Sequence, residues 1–476
     1  MAHKILHPAG ILALFAVVVP CPVFAKDYID PAAARLPDPD PMPLAVKLDS
    51  DPILAIADAI ADEAAFHEVI GEALKANPTL TEGQADGAAA WAAKRGARSA
   101  IFPRIDLGLN ANRAIAREFS NDPDNVLERA RGSGRFDATA TLEQILFDFG
   151  ATGMRIDAAI ERVGAAEAEL DRKSETVALR AIAAWYDLFA YGHLTELADH
   201  FIGQNEKLRS DVEFRIAQGV AAPVERARID SAIASAKLRR AQYQREYQNA
   251  RARFKELFAI DAPNRIVRAP APELERLSDD ALTQRAGNTT PVRVAEALAR
   301  ALRNDSRAAR AETGPNLSAG VDAGRFGLLE AGRRDYDVRA RVTMRWRLLG
   351  PGDARADEAR ARAESADARA LSVKLEAERE ARISWADVGA LDDMLNAYRD
   401  DYVASRVTRD AVTERFRVAR GSLFDALDAE DRLFLAAANY IRGLSERDAA
   451  TFVALARSGD LLRVLNIDPA DQRIFK

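Results

Sequence analysis

Four short segments of the chain alternate apolar side chains with polar or small ones at every second position. The pattern runs through residues 104–110, 136–143, 316–322 and 336–346. A period of two is that of a β-strand with one apolar and one polar face. The sequence therefore predicts four amphipathic strands, two in each half of the chain.

The fourth segment shows the two faces most clearly. One face carries Tyr336, Val338, Ala340, Val342, Met344 and Trp346. The other carries Asp337, Arg339, Arg341, Thr343 and Arg345. A strand of about ten residues with aromatic side chains at both ends of its apolar face is typical of a membrane barrel. We therefore expect the first face to contact lipid and the second to line a water-filled lumen, with a strand of a soluble sandwich as the alternative.

Two long stretches without proline follow the paired strands. Residues 150–222 and 352–468 are rich in Ala, Glu, Arg and Leu, which favour helices. Each stretch has one break, at Gln218-Gly219-Val220 and at Ala419-Arg420-Gly421-Ser422. The helix before the first break would run for about 65 residues, on the order of 100 Å. Helices of this length indicate a coiled coil or a helical barrel.

The two halves of the chain repeat one order of elements: short helix, strand, loop, strand, long helix, break, long helix. Local matches support a duplication, as between Phe136-Asp137 and Tyr336-Asp337, or Phe214-Arg215 and Phe416-Arg417. We assign the repeats to residues 66–285 and 286–465, with a tail at 466–476.

The predicted fold class is an α+β membrane protein with four strands per protomer. An open sheet edge is not tolerated in lipid, and the smallest bacterial outer-membrane barrels have about eight strands. Several copies must therefore contribute to one barrel, and a homotrimer with about twelve strands would leave a water-filled pore. Long antiparallel helices would form a coiled-coil barrel beneath it.

The N-terminus indicates export. Residues 1–25 combine Lys4, an apolar run at 11–19 and the small Ala25, as in a secretory signal. Cys21, the one cysteine, precedes the expected cleavage site; lipid attachment there is the alternative, disfavoured by its flanking prolines. Residues 26–65 are rich in Pro, Asp and Ala and predict an extended leader.

Composition and motifs exclude most other function classes. The net charge is −6 and Lys and Arg are spread along the chain, which argues against a nucleic-acid partner. We find no phosphate-binding loop, no Ser/His/Asp arrangement and no cysteine cluster. His67, His193 and His200 lack a metal-binding motif. We therefore expect no catalytic residue, no metal and no cofactor.

Four local sequences resemble the TolC-like outer membrane factors. Residues 142–150 are similar to the strand-to-helix junction of that family, and Ala76-Asn77-Pro78 to the end of its first helix. Residues 100–103 match its entry to the first strand. Residues 421–429 are similar to its Asp-Val/Leu-Leu-Asp-Ala sequence after the second break. The resemblance extends from about residue 66 to residue 465.

The resemblance implies a trimer with a twelve-stranded barrel in the outer membrane and a helical tunnel in the periplasm. Asp425 and Asp428 would form an acidic ring at the periplasmic mouth, although acids in a first helical turn also favour the helix dipole. The breaks would be adaptor-docking tips formed by Gln218, Gly219, Val220, Ala419, Arg420, Gly421 and Ser422. The family usually has glycine where this chain has Ala217 and Ala419.

The expected function is a passive exit duct. Its partners would be a periplasmic adaptor, an inner-membrane ABC or proton-driven transporter, and outer-membrane lipid. Residues 423–430 and 458–462 favour type I protein secretion by resemblance, and multidrug efflux is the alternative. A soluble periplasmic coiled-coil adaptor or scaffold is the rival from another class. Long helical hairpins suit it, but four amphipathic strands do not.

Overall fold

The computed structural model describes residues 33–42, 48–116, 134–275, 277–328, 335–348, 350–418 and 420–468. The predicted signal segment with Cys21, the start of the leader, Ala419 and the end of the C-terminal tail lie outside these residues. The described chain consists of long helices joined to a small antiparallel sheet.

The four predicted strands are all present and form one sheet. They are β1 (Arg104–Arg113), β2 (Gly134–Phe147), β3 (Asn316–Phe326) and β4 (Asp335–Arg345), in the spatial order β1-β2-β3-β4. Strands β2 and β3 pair with each other, so the sheet joins the two halves of the chain. Every neighbouring pair is antiparallel.

Strands β1, β2 and β3 are longer than the alternating segments that predict them. Strand β2 continues to Phe147 because it pairs with Leu317 beyond an irregularity near Ile145. The structure therefore places most of the predicted strand-to-helix junction inside the strand. Strand β4, in contrast, ends at Arg345, one residue before Trp346.

The described residues of the first half form five helices. They are α1 (Ala55–Asp58), α2 (Glu63–Ala76), α3 (Pro78–Ser99), α4 (Ala151–Ala217) and α5 (Pro223–Phe258). The second half contains α6 (Asp279–Ala286), α7 (Thr290–Ala311), α8 (Gly352–Arg417), α9 (Leu423–Arg457) and α10 (Leu461–Val464). The order of long helices and strands repeats, as the sequence predicts.

The two longest helices have 67 and 66 residues, which confirms the predicted rods. Helix α4 begins where the Asp148 carboxylate accepts hydrogen bonds from the backbone N–H and the hydroxyl of Thr152, the first at 2.8 Å. Gly150, just before the helix, has φ +83°, a left-handed conformation that glycine adopts at little cost. Among the described residues, no helix is both long and apolar enough to cross a membrane.

Asn77 separates α2 from α3, where the sequence analysis expects the first helix to end. Its side chain accepts a hydrogen bond from the Thr79 N–H at 3.0 Å, and Pro78 occupies the first helical position of α3. Proline is well tolerated there because that N–H has no helical partner.

The leader differs in part from the predicted extended segment at 26–65. Residues 33–42 have no helix or strand, but α1 and the first turn of α2 fall before residue 66. The proline-rich composition ends at Pro52, and the following Ile, Leu and Ala residues can bury side chains as a helix. Ile53 and Ile56 are buried, and the burial of these side chains accounts for the short helix α1.

The main core lies around the middle of α4 and includes both halves. Trp185 is fully buried, and its ring meets that of Phe66 edge-on with centroids 5.2 Å apart. The Trp185 indole N–H donates to the Val267 carbonyl at 3.0 Å. Phe452, from α9, packs 6.1 Å from Phe66. The two repeats therefore share one hydrophobic core.

Candidate functional site: a two-faced sheet and two helical tips

The apolar positions of the four strands align into one continuous face. In the strand register, Ile105 lies opposite Leu142, Leu142 opposite Val321, and Val321 opposite Ala340. The large side chains that β1 and β4 contribute to this face are largely exposed in the single chain, with Leu107 at 81% and Val342 at 70%. An exposed apolar surface of this kind marks a site of contact with lipid or protein.

The residues predicted from the sequence to contact lipid all lie on β4 or directly after it. Strand β1 contributes Ile105, Leu107 and Leu109 to the same face. The alternation of period two in 104–110 was already the signal for these residues, because it fixes which side chains share a face.

The opposite face of the sheet is polar and carries ion pairs between neighbouring strands. The Arg104 guanidinium lies 3.2 Å from the Glu143 carboxylate, which links β1 to β2. Arg341 lies 2.6 Å from Asp322, which links β4 to β3. The predicted lumen residues Asp337, Arg339, Arg341, Thr343 and Arg345 all lie on this face.

Glu143 and Asp322 were not among the predicted lumen residues. The alternation of side chains along each strand places them on the polar face, but their pairing with Arg104 and Arg341 depends on the register between strands. That register is set when the sheet forms, so a single strand pattern does not reveal it.

Trp346 follows β4 and is anchored to the segment that precedes β3. Its indole N–H donates to the Thr313 carbonyl, between α7 and β3, at 3.2 Å. The ring remains 57% exposed. Trp346 therefore combines a fixed polar end with an exposed apolar body, which suits an interface between water and hydrocarbon.

The first break forms a tight turn between α4 and α5. The Val220 N–H donates to the Arg215 carbonyl at 2.9 Å, which closes the end of α4. Gly219 has φ +72°, a left-handed backbone conformation that favours glycine, so the turn requires glycine at this position and not at Ala217. Phe214 and Val220 are largely exposed.

The second break uses glycine for a different reason. A Cβ atom on Gly421 would lie 3.0 Å from the Phe416 backbone nitrogen, so a larger residue would have to displace this backbone and glycine fits without doing so. The Ser422 hydroxyl accepts a hydrogen bond from the Asp425 N–H at 3.1 Å and begins α9. Ala419, the remaining predicted tip residue, lies outside the described residues.

The two tips touch through Arg215. Its guanidinium donates to the Phe416 carbonyl at 3.0 Å and lies 4.1 Å from the centroid of the Phe416 ring. A small apolar cluster of Val212, Phe416, Leu423 and Ala426 lies beside this contact. This bridge was not predicted from the sequence, where Arg215 indicates only the duplication.

Asp425 and Asp428 lie together on the exposed side of α9. Leu423 and Ala426, at the start of the same helix, are buried, so the two carboxylates lie on the side of the helix that faces away from the packed core. Asp428 is 2.9 Å from Arg432, one turn further along the same helix. An acidic ring built from these residues would be partly neutralised by Arg432.

The three histidines that the structure describes lie on two helices, His67 on α2 and His193 and His200 on α4. His193 is buried, with its ring edge-on to Phe189 at a centroid distance of 4.8 Å. Its Nδ1 lies 3.7 Å from Glu196. Within the part of the chain that the structure describes, no group of three or more His, Cys, Asp or Glu could hold a metal ion.

Comparison with known proteins connects this geometry to outer-membrane channels. Residues 69–259 match the family described as outer membrane efflux protein. Comparison with curated protein sequences gives no match.

Several solved structures have the same fold. The outer-membrane channel OprN is 21% identical, and the alignment covers 91% of this chain and 97% of that one with a TM-score of 0.73. The CmeC outer membrane channel of Campylobacter jejuni is 15% identical, with 90% and 95% covered and a TM-score of 0.74. The outer membrane protein VceC of Vibrio cholerae is 18% identical, with 84% and 95% covered and a TM-score of 0.69.

At these identities the structural likeness establishes the fold, and the family match comes from the sequence of the first half. The two findings agree on one kind of molecule. The sequence of residues 69–259 thus matches the outer membrane efflux protein family, and the described chain has the fold of solved outer-membrane channels.

Proposed function

We propose that this chain is one subunit of a homotrimeric exit duct that passively conducts cargo across the periplasm and the outer membrane. The observation that carries the proposal is the open, four-stranded sheet with an exposed apolar face on one side and an ion-paired face on the other. The outer edges of β1 and β4 have no strand partner among the described residues. Three copies joined edge to edge would satisfy both edges in one barrel of about twelve strands.

The barrel assignment gives each strand face a role. Tyr336, Val338, Val342, Met344 and Trp346 would contact lipid. Asp337, Arg339, Arg341, Thr343 and Arg345 would line the lumen, where ion pairs such as that of Arg341 with Asp322 remain hydrated. Charged groups are costly on the lipid side and tolerated on the lumen side, so the observed segregation favours this orientation.

The long helices would continue the duct into the periplasm. A helix of 67 residues is about 100 Å long, so α4 and α8 reach far beyond the sheet. The two tips would then be the surface that meets a periplasmic adaptor, with Gln218, Gly219, Val220, Arg420, Gly421 and Ser422 at the turns. The exposed Phe214, Val220 and Phe424 supply apolar contacts for such a partner.

Asp425 and Asp428 would face the periplasmic mouth of the trimer. Their shared exposed side and position beside the second tip support this placement. The ring would attract cations, with the pairing of Asp428 to Arg432 making Asp425 the stronger contributor.

Type I protein secretion is the transport class that we propose, in partnership with an inner-membrane ABC transporter. The sequence of residues 423–430 and 458–462 supports it by resemblance. Multidrug efflux with a proton-driven exporter is the second candidate, favoured by the description of the matched family as an efflux protein. Co-purification of the tagged chain with its inner-membrane transporter distinguishes the two, because the transporter class differs.

Membrane fractionation followed by light scattering in detergent tests the duct itself. A trimer recovered from the outer-membrane fraction is the expected result. A soluble periplasmic monomer or dimer would contradict the barrel and favour the adaptor or scaffold alternative.

A further inference from the structure

The leader makes buried polar contacts with the C-terminal part of α8. Its described parts, residues 33–42 and 48–54, are called the strap below. Asp51 of the strap is 1% exposed. Its carboxylate accepts a hydrogen bond from the Tyr402 hydroxyl at 2.8 Å and forms an ion pair with Arg406.

A second contact lies one turn closer to the tip. Arg409 is fully buried, and one of its guanidinium nitrogens donates to the Pro37 carbonyl of the strap at 2.6 Å. Its other nitrogens reach Asp410 at 2.7 Å and Glu430 at 3.3 Å. Tyr402, Arg406 and Arg409 are spaced by four and three residues, so they form one stripe on α8.

The strap also contacts the first half of the chain. The Ala34 N–H donates to the Glu196 carboxylate of α4 at 3.2 Å. Ala34, Leu36 and Ile53 are at most 1% exposed and belong to the same core as Leu197 and Tyr402. The strap therefore lies between the two halves and joins α4 to α8.

Because the arginine side chains of α8 are buried, their contacts with the strap stabilise α8 in its observed position. A guanidinium removed from water is costly unless a counter-charge or acceptor is present. Among the described residues, Asp51 is the only carboxylate that forms an ion pair with Arg406. If α8 moved away from the strap, Arg406 would lose that partner, so the contact resists the movement.

The contact is close to the second tip. Helix α8 ends at Arg417, eight residues after Arg409, which corresponds to about 12 Å. We propose that the strap is a built-in restraint that holds the tip end of α8 against the first half and keeps the mouth of the duct narrow. This inference rests on the proposed function for the meaning of the mouth, but the restraint itself can be measured separately.

Asp51→Asn is the main test variant. Asparagine keeps an oxygen that can cap Ile53 and Leu54, whose N–H groups now donate to Asp51 at 2.8 and 3.1 Å, but it removes the charge that pairs with Arg406. Tyr402→Phe is the milder variant and deletes one hydroxyl donor. Asp199→Asn is the matched control, because Asp199 forms an exposed ion pair with Arg240 at 3.0 Å that involves no residue of the strap.

Hydrogen exchange of the purified full-length protein measures the restraint. We expect amides of residues 402–418 to exchange at least about tenfold faster in Asp51→Asn and about two- to fourfold faster in Tyr402→Phe. Amides near Trp185 should keep the wild-type rate, and Asp199→Asn should match wild type throughout. Wild-type exchange at 402–418 in Asp51→Asn, or equal acceleration near Trp185, would overturn the strap. If Asp51→Asn does not fold, Tyr402→Phe decides by the same criteria.

Conductance in planar bilayers separates the strap from the duct. Faster exchange at 402–418 together with a larger open fraction of the channel supports both proposals. Faster exchange in a protein that forms no channel supports the strap and contradicts the duct. Faster exchange in a channel whose open fraction is unchanged shows that the strap does not narrow the mouth and overturns that part of the inference.

Discussion

The guanidinium of Arg215 lies over the ring of Phe416, 4.1 Å from its centroid, and donates to the carbonyl of the same residue at 3.0 Å. The two residues are 201 positions apart, and each lies near the end of a long helix, where one of the two helical hairpins turns. Phe214 and Phe416 are matched in the duplication, yet Phe214 is 64% exposed and Phe416 is 4% exposed. The bridge therefore makes the two tips structurally unequal.

Arg215→Met should loosen the contact between the tips. The substitution keeps much of the aliphatic side chain but removes the donor and the cation, so we expect a local loss of about 1–2 kcal/mol. Hydrogen exchange at residues 412–418 measures it. Arg228→Met, at an exposed position of α5, is the control and should leave these amides unchanged.

Val342→Lys should prevent assembly into the outer membrane, whereas Thr343→Lys should be tolerated. The two neighbours lie on opposite faces of β4, and lysine at the midplane of the lipid face costs about 2–4 kcal/mol in a membrane barrel. The yield of trimer in the outer-membrane fraction is the measurement. Equal yields from both variants would contradict the assignment of the faces.

Asp425→Ala combined with Asp428→Ala should weaken block of the channel by polyvalent cations. Three subunits would lose six carboxylates at the mouth, so we expect the half-blocking concentration in planar bilayers to rise by about tenfold. Asp431→Ala is the control, because Asp431 pairs with Arg239 on α5. Unchanged block in the double variant would remove Asp425 and Asp428 from the mouth.

Glu175 predicts a dependence of stability on pH. Burial raises the pKa of its carboxyl from 4.5 to about 7, although the Thr290 hydroxyl donates to it at 2.7 Å. The folded protein then retains a proton that the unfolded chain releases between these values. The free energy of unfolding should therefore fall as the pH rises from about 4.5 to 7, by about 3 kcal/mol.

Glu175→Gln should remove this dependence, because the amide has no proton to release. Chemical unfolding of the detergent-solubilised protein at pH 5 and pH 8 measures the difference. Glu256→Gln, at an exposed position of α5, should keep the wild-type dependence. A wild-type pH dependence that survives in Glu175→Gln would assign it to other groups.

Short-range patterns were sufficient to predict the secondary structure. The alternation in residues 336–346 and the absence of proline from 150–222 depend on neighbours a few positions apart, and they predicted β4 and α4. Asn77 and Pro78 marked the boundary between α2 and α3 for the same reason, because a cap acts within one turn. The expected extended leader was wrong where Ile53 and Ile56 find a core to enter, since burial in a distant core is not a local property.

The four two-faced strands, the two long helices with their breaks and the resemblance to a family could all be predicted from the amino-acid sequence. Each of these follows from periodicity, composition or a short motif. The partners of the charged residues, in contrast, depend on how the chain folds. The tertiary structure pairs Arg341 with Asp322, Arg215 with the backbone of Phe416, and Arg406 with Asp51, because such contacts join residues far apart in the chain. Their energies depend on burial and register, which exist only after the chain has folded.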